Sequence, residues 1–403
     1  MKIAVIGGGA AGYFAAIHAS GPGIEVLLFE KSPKVLSKVK ISGGGRCNVT
    51  HRPMEISKLV KNYPRGEKFL KKGFAHFSIE DTFTWFESRG VPLKIEDDGR
   101  VFPKSNTSQS IVDVLEQEAK RLGVRLKLST GIKAIRPTDA GFSLQTDAGD
   151  VSVSKMIVAS GGHPNLNAYD FLKLLNHKII KPIPSLFTFN TPQEPIRELM
   201  GISMGDALVK LEGTKLSYRG PILVTHWGIS GPAAIKLSAW CAREMAAENY
   251  EGAIQINWVP LYNAQSLKME WLNFRTDLGK REIGDKNPFG LPQRLWQFLL
   301  QEASILPNTK WADVKSTAQN ILIQLLTTYT LPIKGKTTFK EEFVTCGGVD
   351  IAGINAAEME SKTCPGLHFA GEMMDVDGIT GGFNFQHAWT SGWLAANHMA
   401  TLA

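Results

Sequence analysis

Cysteine is scarce in this chain. Its 403 residues include only four, Cys47, Cys241, Cys346 and Cys364. No two of them form a C-x-x-C pair, which argues against a structural zinc site or a dithiol redox centre, so no metal is expected. Scattered, unpaired thiols point to a reducing, cytoplasmic setting. Long apolar runs are also missing: nothing approaches the roughly 20 consecutive apolar residues that cross a bilayer. A cleaved leader is not expected, because an apolar run needed for the fold begins at Ile3. With 43% hydrophobic and 21% charged residues, the composition is that of an ordinary globular chain with room for two or three domains.

The N-terminus carries the clearest pattern. Ile3-Ala4-Val5-Ile6 reads as a strand and Gly7-Gly8-Gly9-Ala10-Ala11-Gly12 as a glycine turn. Small and apolar residues from Tyr13 to Ala19 then read as a helix, and Ile24–Phe29 as a second strand that ends on Glu30. Strand, turn, helix, strand and acid in this order fit the dinucleotide-binding fingerprint. Gly7 permits the turn, Gly9 lets a pyrophosphate approach the backbone, and Gly12 lets the helix lie close to the sheet. The helix N-terminus offers N–H groups to the phosphates, and Glu30 would bind the ribose. No second GxGxxG is followed by a helix and an acid. A dedicated NAD(P)H domain is therefore not visible, and a nicotinamide donor would bind transiently.

Further along, Ile41–Thr50 contains Gly43-Gly44-Gly45-Arg46-Cys47-Asn48. Three consecutive glycines favour a loop whose backbone can lie against a flat or phosphorylated ligand. Arg46 can fork to a phosphate or stack on a ring, and Asn48 can donate and accept at once. Residues 67–90 read as helical, and Val91–Val101 as a hairpin. A β meander is expected over residues 124–153. Lys155–Val158 reads as a parallel strand delivering Ala159-Ser160-Gly161-Gly162 to the carboxyl edge of a sheet, where ligands bind in such folds.

From Phe187 onward, short alternating runs (Ala207–Leu211, Thr214–Tyr218 and Ile254–Val259) suggest a small antiparallel barrel. It holds the loop Thr225-His226-Trp227-Gly228 and an expected helix Ala233–Ala246. Residues 263–330 read as helical, with Trp311, Val314, Ala318, Ile321 or Leu322, and Leu325 as a buried stripe. Phe343–Asp350 reads as another glycine turn. Near the C-terminus, Leu367-His368-Phe369 runs into Ala370-Gly371-Glu372. Asp375, then Gly381-Gly382 and the start of a helix at Phe383-Asn384, follow. Carboxylates at this edge can bind ribityl hydroxyls, and the helix N-terminus can face the pyrimidine end of an isoalloxazine.

Charge is unevenly spread. The net charge is +7. Between Lys31 and Lys72 lie twelve basic residues, opposed only by Glu55 and Glu67, so that segment carries +10 and the remainder −3. Such a zone is a footprint for a polyanion; the other reading is a solvated face combined with ligands for cofactor phosphates.

Taken together, the Gly7–Gly12 turn, the loops Ile41–Thr50, Ala159–Gly162, Thr225–Pro232 and Thr345–Val349, and the segment Ala370–Gln386 resemble the bacterial BaiN/RdsA-like NAD(P)/FAD-dependent oxidoreductases, some members of which carry the name aminoacetone oxidase. The resemblance covers nearly the whole chain. It implies an α/β fold with a glutathione-reductase-like FAD-binding Rossmann domain, an inserted small β-barrel and a helical insertion. The implied order is FAD domain over 1–186, barrel over 187–262, helical insertion over 263–330, return through the barrel over 331–344 and FAD domain again over 345–403. FAD is the implied cofactor and NAD(P)H a transient donor. The implied cofactor-binding residues are Gly7, Gly9, Ala10, Ala11, Gly12, Glu30, Lys31, Gly45, Arg46, Cys47, Asn48, Ile132, Ala159, Gly161, Gly162, Gly371, Glu372, Asp375, Gly381, Gly382, Phe383 and Asn384. Hydride transfer to an unsaturated substrate is the expected chemistry, on a uridine of large-subunit ribosomal RNA or a small enone. His226, Cys47 and Cys346 are candidate proton donors. The alternatives are a flavin oxidase acting on an amine such as aminoacetone, and a non-enzymatic flavin-bearing RNA-binding factor. The partner is then a small molecule or ribosomal RNA, gripped in the second case through Lys31–Lys72.

Overall fold

Five short strands form a parallel sheet. β1 (Lys2–Ile6) is followed by helix α1 (Ala10–Ala19) and β2 (Glu25–Phe29). Helix α2 (Glu67–Phe74), β3 (Arg125–Lys127), β4 (Lys155–Val158), β5 (Leu367–Phe369) and the terminal helix α3 (Phe383–Thr401) complete the layer. The strand order is β5-β4-β1-β2-β3, every pair parallel. The computed structural model describes residues 1–338 and 344–401. β1 is buried from Ile3 to Ile6 and β4 from Met156 to Val158, as expected of strands covered on both faces. α1 and α3 pack closely: a Cβ on Gly392 would stand 2.8 Å from the Ala11 carbonyl oxygen. A three-stranded antiparallel meander, Ile132–Thr138, Gly141–Thr146 and Gly149–Val153, precedes β4.

The chain divides into two compact units, one of Met1–Ser185 with Lys340–Ala403 and the other of Leu186–Phe339. The second unit holds an antiparallel seven-strand sheet. Its two edge strands, Tyr329–Lys334 and Lys336–Thr337, are halves of one segment turned at Gly335, which has a φ of +91°. The first half pairs with Glu251–Asn257 and the second with Thr188–Asn190, so the sheet closes on itself. Helices Ala264–Leu278, Gln293–Glu302 and Ser316–Thr327 belong to the same unit. Among the described residues no helix is long and apolar enough to cross a membrane.

Local structure departs from the sequence expectation at several points; the expected loop Thr225–Pro232 contains the strand Gly228–Ser230, and the helical stretch 263–330 gives way at Tyr329 to a strand. The helical stretch 67–90 is two helices, because Ser78 and Asp81 form a capping box that starts Ile79–Glu87. The expected strand Thr214–Tyr218 is largely a turn: the Thr214 hydroxyl donates to the Leu211 carbonyl and accepts from the Leu216 N–H, and the strand is Ser217–Val224. The expected helix Ala233–Ala246 breaks at Cys241 into Pro232–Trp240 and Ala242–Ala247. Trp311 and Val314 precede the helix they were read into, since Lys315 is extended; the buried face of that helix is Leu322, Ile323 and Leu326. Finally, Thr345–Val349 is a fully buried strand antiparallel to Ile179–Pro184, not a turn. Its glycines are needed for clearance, since a Cβ on Gly347 would stand 2.5 Å from the Lys181 carbonyl oxygen and one on Gly348 would stand 2.4 Å from that of Met373. Phe343, at the head of that segment, lies outside the described residues.

Candidate functional site

The parallel sheet brings distant segments to one edge. β1 leads into Gly7, β2 into Glu30, β4 into Ala159 and β5 into Ala370, and all four strands run the same way. The turns Gly7–Gly12, Ala159–Gly162 and Ala370–Glu372 therefore meet at the carboxyl edge, although they are far apart in the chain. Close approaches fix them there. A Cβ on Gly12 would come within 1.8 Å of the Gly7 carbonyl oxygen, one on Gly7 within 2.4 Å of the Ala159 oxygen, and one on Gly371 within 2.7 Å of the Ala11 Cβ.

The helix start is open where a phosphate would lie. Gly9 is the N-cap of α1; no side chain caps it and no acid sits in the first turn among the described residues. A Cβ on Gly9 would meet nothing within 4 Å, and the same holds for Gly44, Gly45 and Gly161. The Glu30 carboxylate is fixed by the Gly8 and Ser32 N–H groups, each at 2.8 Å, and keeps acceptor capacity for a ribose diol. A bare helix N-terminus, glycines facing open space and an oriented carboxylate fit an adenine dinucleotide. Lys31 is exposed beside Glu30, and Ile132 begins the meander.

The Ile41–Thr50 segment is a short helix that unwinds into left-handed glycines, with Gly43 at φ +57°, Gly44 at +68° and Gly45 at +82°. Arg46 both forks and stacks, but within the protein: Nη1 donates to Glu96 at 2.6 Å and the guanidinium lies 4.0 Å from the centre of the Phe102 ring. Asn48 Oδ1 accepts from the Val101 N–H at 3.3 Å. Cys47 has no exposed surface, and burial pushes its thiol up to about 12, opposed only weakly by a hydrogen bond with Ser42. It stays protonated across the physiological range.

Beside this loop, α3 is clamped by groups that the motif reading did not single out. Thr50 Oγ1 donates to Gln386 Oε1 at 2.6 Å, and Trp389 Nε1 donates to the Val49 carbonyl at 2.9 Å. A Cβ on Gly382 would lie 2.2 Å from the Thr50 carbonyl oxygen. Phe383 stacks on His51 with ring centres 4.9 Å apart. Asn384 is spent on the turn: its side chain accepts from the Gly378 N–H and donates to the Gly378 carbonyl. Glu372 is held by Lys38 Nζ at 2.7 Å and the Thr345 N–H at 2.8 Å. Asp375 is buried, and its N–H donates to the Val349 carbonyl. Asp377, two residues on, takes both arms of the buried Arg65 and a hydrogen bond from Ser185. Arg65 counts as one more cation of the basic zone in the sequence; nothing local marks it as buried. His387 donates through Nε2 to the Gly371 carbonyl at 3.2 Å, and burial holds the ring down at about 4.

The three proton-donor candidates are divided between the two units. Cys47 and Cys346 are both fully buried in the unit that carries the sheet, Cys346 in the Thr345–Val349 strand. His226 belongs to the other unit, where it is exposed and rests on Trp227, and its carbonyl accepts from Arg197 Nε at 2.6 Å.

Comparison with known proteins agrees with this geometry. The family model described as the HI0933-like protein Rossmann domain matches residues 1–398. The chain is 30% identical over 405 residues to the Escherichia coli protein named ribosomal RNA dihydrouridine synthase, covering 98% of this chain and 97% of that one. It is 27% identical to the 3-dehydro-bile acid delta(4,6)-reductase of Clostridium scindens, covering 99% of each. Among solved structures, 3-ketosteroid delta1-dehydrogenase from Sterolibacterium denitrificans superposes over the whole chain and 99% of its own, with a TM-score of 0.52 at 12% identity, a likeness of fold alone. The chain therefore belongs to the HI0933-like Rossmann family, and it is an FAD-dependent oxidoreductase.

Proposed function

We propose that this chain reduces the C5–C6 double bond of a uridine in ribosomal RNA, forming dihydrouridine, with NAD(P)H as the transient electron donor and the cytoplasm as its place of work. The observation that carries the reading is the end-to-end similarity to the Escherichia coli ribosomal RNA dihydrouridine synthase. The names of the two relatives described above denote saturation of a carbon–carbon double bond, which supports the reaction class independently of the substrate. The charge distribution favours RNA. Ten of the twelve basic residues between Lys31 and Lys72 are exposed, the exceptions being Arg46 and Arg65.

When bound, FAD supplies the two-electron chemistry. The chain's own residues supply the rest. The Gly7–Gly12 turn and the start of α1 hold the pyrophosphate, and Glu30 holds the adenosine ribose. Gly44, Gly45 and Gly161 leave backbone open to a flat ligand, and Glu372, set by Lys38 and Thr345, would hold the sugar-like chain. The neutral His387 ring locks the Gly371 turn. A target uridine must be unstacked to reach such a site, and the exposed lysines grip the flanking phosphates. Reduction also consumes a proton. Cys47, Cys346 and His226 remain the candidates by residue chemistry; Cys47 and Cys346 have no exposed surface, whereas His226 is exposed.

The test is anaerobic. The FAD-bound protein is reduced and mixed with ribosomal RNA lacking dihydrouridine; reoxidation together with a two-dalton gain at one uridine is the expected result. Silence toward RNA with rapid reoxidation by a steroid enone would replace the substrate by a small molecule, as the bile-acid relative suggests. In a separate aerobic assay of the oxidised protein, hydrogen peroxide formed from aminoacetone and dioxygen would point to the amine oxidase reading.

A further inference from the structure

The expectation that this chain holds no metal rested on its cysteines. Three other side chains, far apart in sequence, converge away from the carboxyl edge. Glu360 and His368 face each other across an antiparallel bridge, so their side chains leave the backbone on the same side. The bridge is firmly held: the Phe369 N–H donates to the Met359 carbonyl at 2.9 Å and the Ser361 N–H to the Leu367 carbonyl at 2.8 Å. Glu360 Oε1 also accepts from the Gly366 N–H at 2.8 Å. His398 reaches in from the last turn of α3. Its Nδ1 stands 3.1 Å from His368 Nε2 and 3.8 Å from Glu360 Oε2. One ligand atom from each of the three lies within 4.8 Å of the others.

This is the donor set of a small divalent ion. Zinc takes imidazole nitrogen and carboxylate oxygen at about 2.0–2.2 Å, which puts neighbouring tetrahedral ligands about 3.3 Å apart. The spacing of the two imidazole nitrogens is close to that. His368 has no exposed surface, whereas the His398 and Glu360 side chains are 21% and 22% exposed. The other nitrogen of His398, Nε2, lies 3.7 Å from Glu358 Oε1, and the Asn355 side-chain amide in turn hydrogen-bonds the Glu358 carboxylate. A carboxylate behind a ligating histidine fixes its tautomer and raises its basicity. Lys155 is the cation nearby, its Nζ at 3.4 Å from the Met399 carbonyl, and the two glutamates outnumber it.

We propose that Glu360, His368 and His398 bind one zinc-class divalent ion, oriented by Glu358, and that the ion staples the C-terminal end of α3 to β5. The role is structural, and it is independent of the substrate reading above.

The experiment uses the full-length, FAD-bound protein after chelator treatment and dialysis. Titration with cobalt(II) should give visible d–d bands that saturate at one ion per chain. Calorimetry with zinc(II) should give the same stoichiometry, and the thermal midpoint should rise when zinc is added. His398→Ala, at a partly exposed position, should abolish the cobalt spectrum while FAD absorbance persists. Glu358→Gln removes no ligand and should weaken zinc binding about 10–100-fold. Should His398→Ala fail to retain FAD, Glu360→Gln and Glu358→Gln decide the matter. No stoichiometric ion in the parent protein, or binding unmoved by the Glu360 and Glu358 substitutions, would overturn the proposal.

Discussion

Asp377 accepts from Arg65 at both of its carboxylate oxygens, the Nε–Oδ1 bond measuring 2.5 Å, across a sequence separation of 312 residues. Asp377 is fully buried and the Arg65 side chain is 9% exposed. Ser185 Oγ donates to the same carboxylate. Removing one member leaves a buried charge uncompensated, which costs about 3–5 kcal/mol, whereas replacing both by apolar groups of similar volume costs far less. We expect Asp377→Ala and Arg65→Met each to lower the urea midpoint sharply. The Arg65→Met/Asp377→Leu double variant should be more stable than the sum of the single losses. Additive losses in this cycle would show that the two side chains are not energetically coupled.

Two glycines of one turn should fail in different ways when changed to alanine. At Gly12 a Cβ would stand 1.8 Å from the Gly7 carbonyl oxygen, so either β1 or α1 must move, and overpacking of this kind costs typically about 1–3 kcal/mol. At Gly9 a Cβ meets nothing within 4 Å, and φ is −92°, a value any residue adopts. Gly9→Ala should therefore fold normally in thermal melts yet bind FAD more weakly, because the methyl group takes the space of the pyrophosphate. Gly12→Ala should lose stability even without FAD. Equal FAD affinity in Gly9→Ala and the parent would place the pyrophosphate elsewhere.

The contrast shows what could be read from the sequence. The β1–α1–β2 unit is local, and its glycines, helix and acid stand at fixed spacing, so their roles follow from backbone geometry alone. Alternation also marks the strands around Ala207–Leu211 and Ile254–Val259, but not Thr188–Asn190, Gly228–Ser230 or the segment 329–337, which are short or broken by glycine and proline. The clamps around α3 do not follow from local pattern. In the sequence Arg65 carries the same charge as the exposed lysines around it, and only tertiary packing sets Asp377 and Ser185 against it. Cys47 is named by a glycine loop, but its complete burial depends on elements elsewhere in the unit. Thr345–Val349 reads as a turn because glycine usually breaks strands; here the neighbouring carbonyls come so close that only glycine fits. The Glu360–His368–His398 cluster has no ligand spacing to detect, because a bridge and a helix end bring it together.

Stability should fall in acid partly through His387. Burial holds this ring at about 4, below the roughly 6.5 of an exposed imidazole, so it is neutral in the fold. As pH drops below about 6.5 the unfolded chain takes up the proton first. The contribution is therefore complete above that pH and is lost progressively down to about 4. His387→Gln can keep a donor to the Gly371 carbonyl without titrating. The slope of unfolding free energy against pH between 6.5 and 4 should shrink by up to about 1.4 kcal/mol per pH unit. An unchanged slope would mean that His387 is already protonated in the native state.

The exposed lysines of α2 bear on the RNA reading most directly. Lys68, Lys71 and Lys72 share one face of the helix at i, i+3 and i+4, while Phe69, Leu70 and Phe74 are buried on the other. Substituting all three by serine leaves the buried face and the FAD edge untouched, so flavin content and anaerobic reoxidation by a small enone should match the parent. Binding to ribosomal RNA should weaken. If all three contact phosphates, the slope of log K against log salt should become shallower by about 2–3 units, since each released counterion contributes about 0.7–0.9. The two measurements separate the site from the surface. A lost RNA response with intact enone chemistry would assign these lysines to substrate capture. A salt slope equal to the parent's would mean that RNA, if bound at all, is held by another part of the protein.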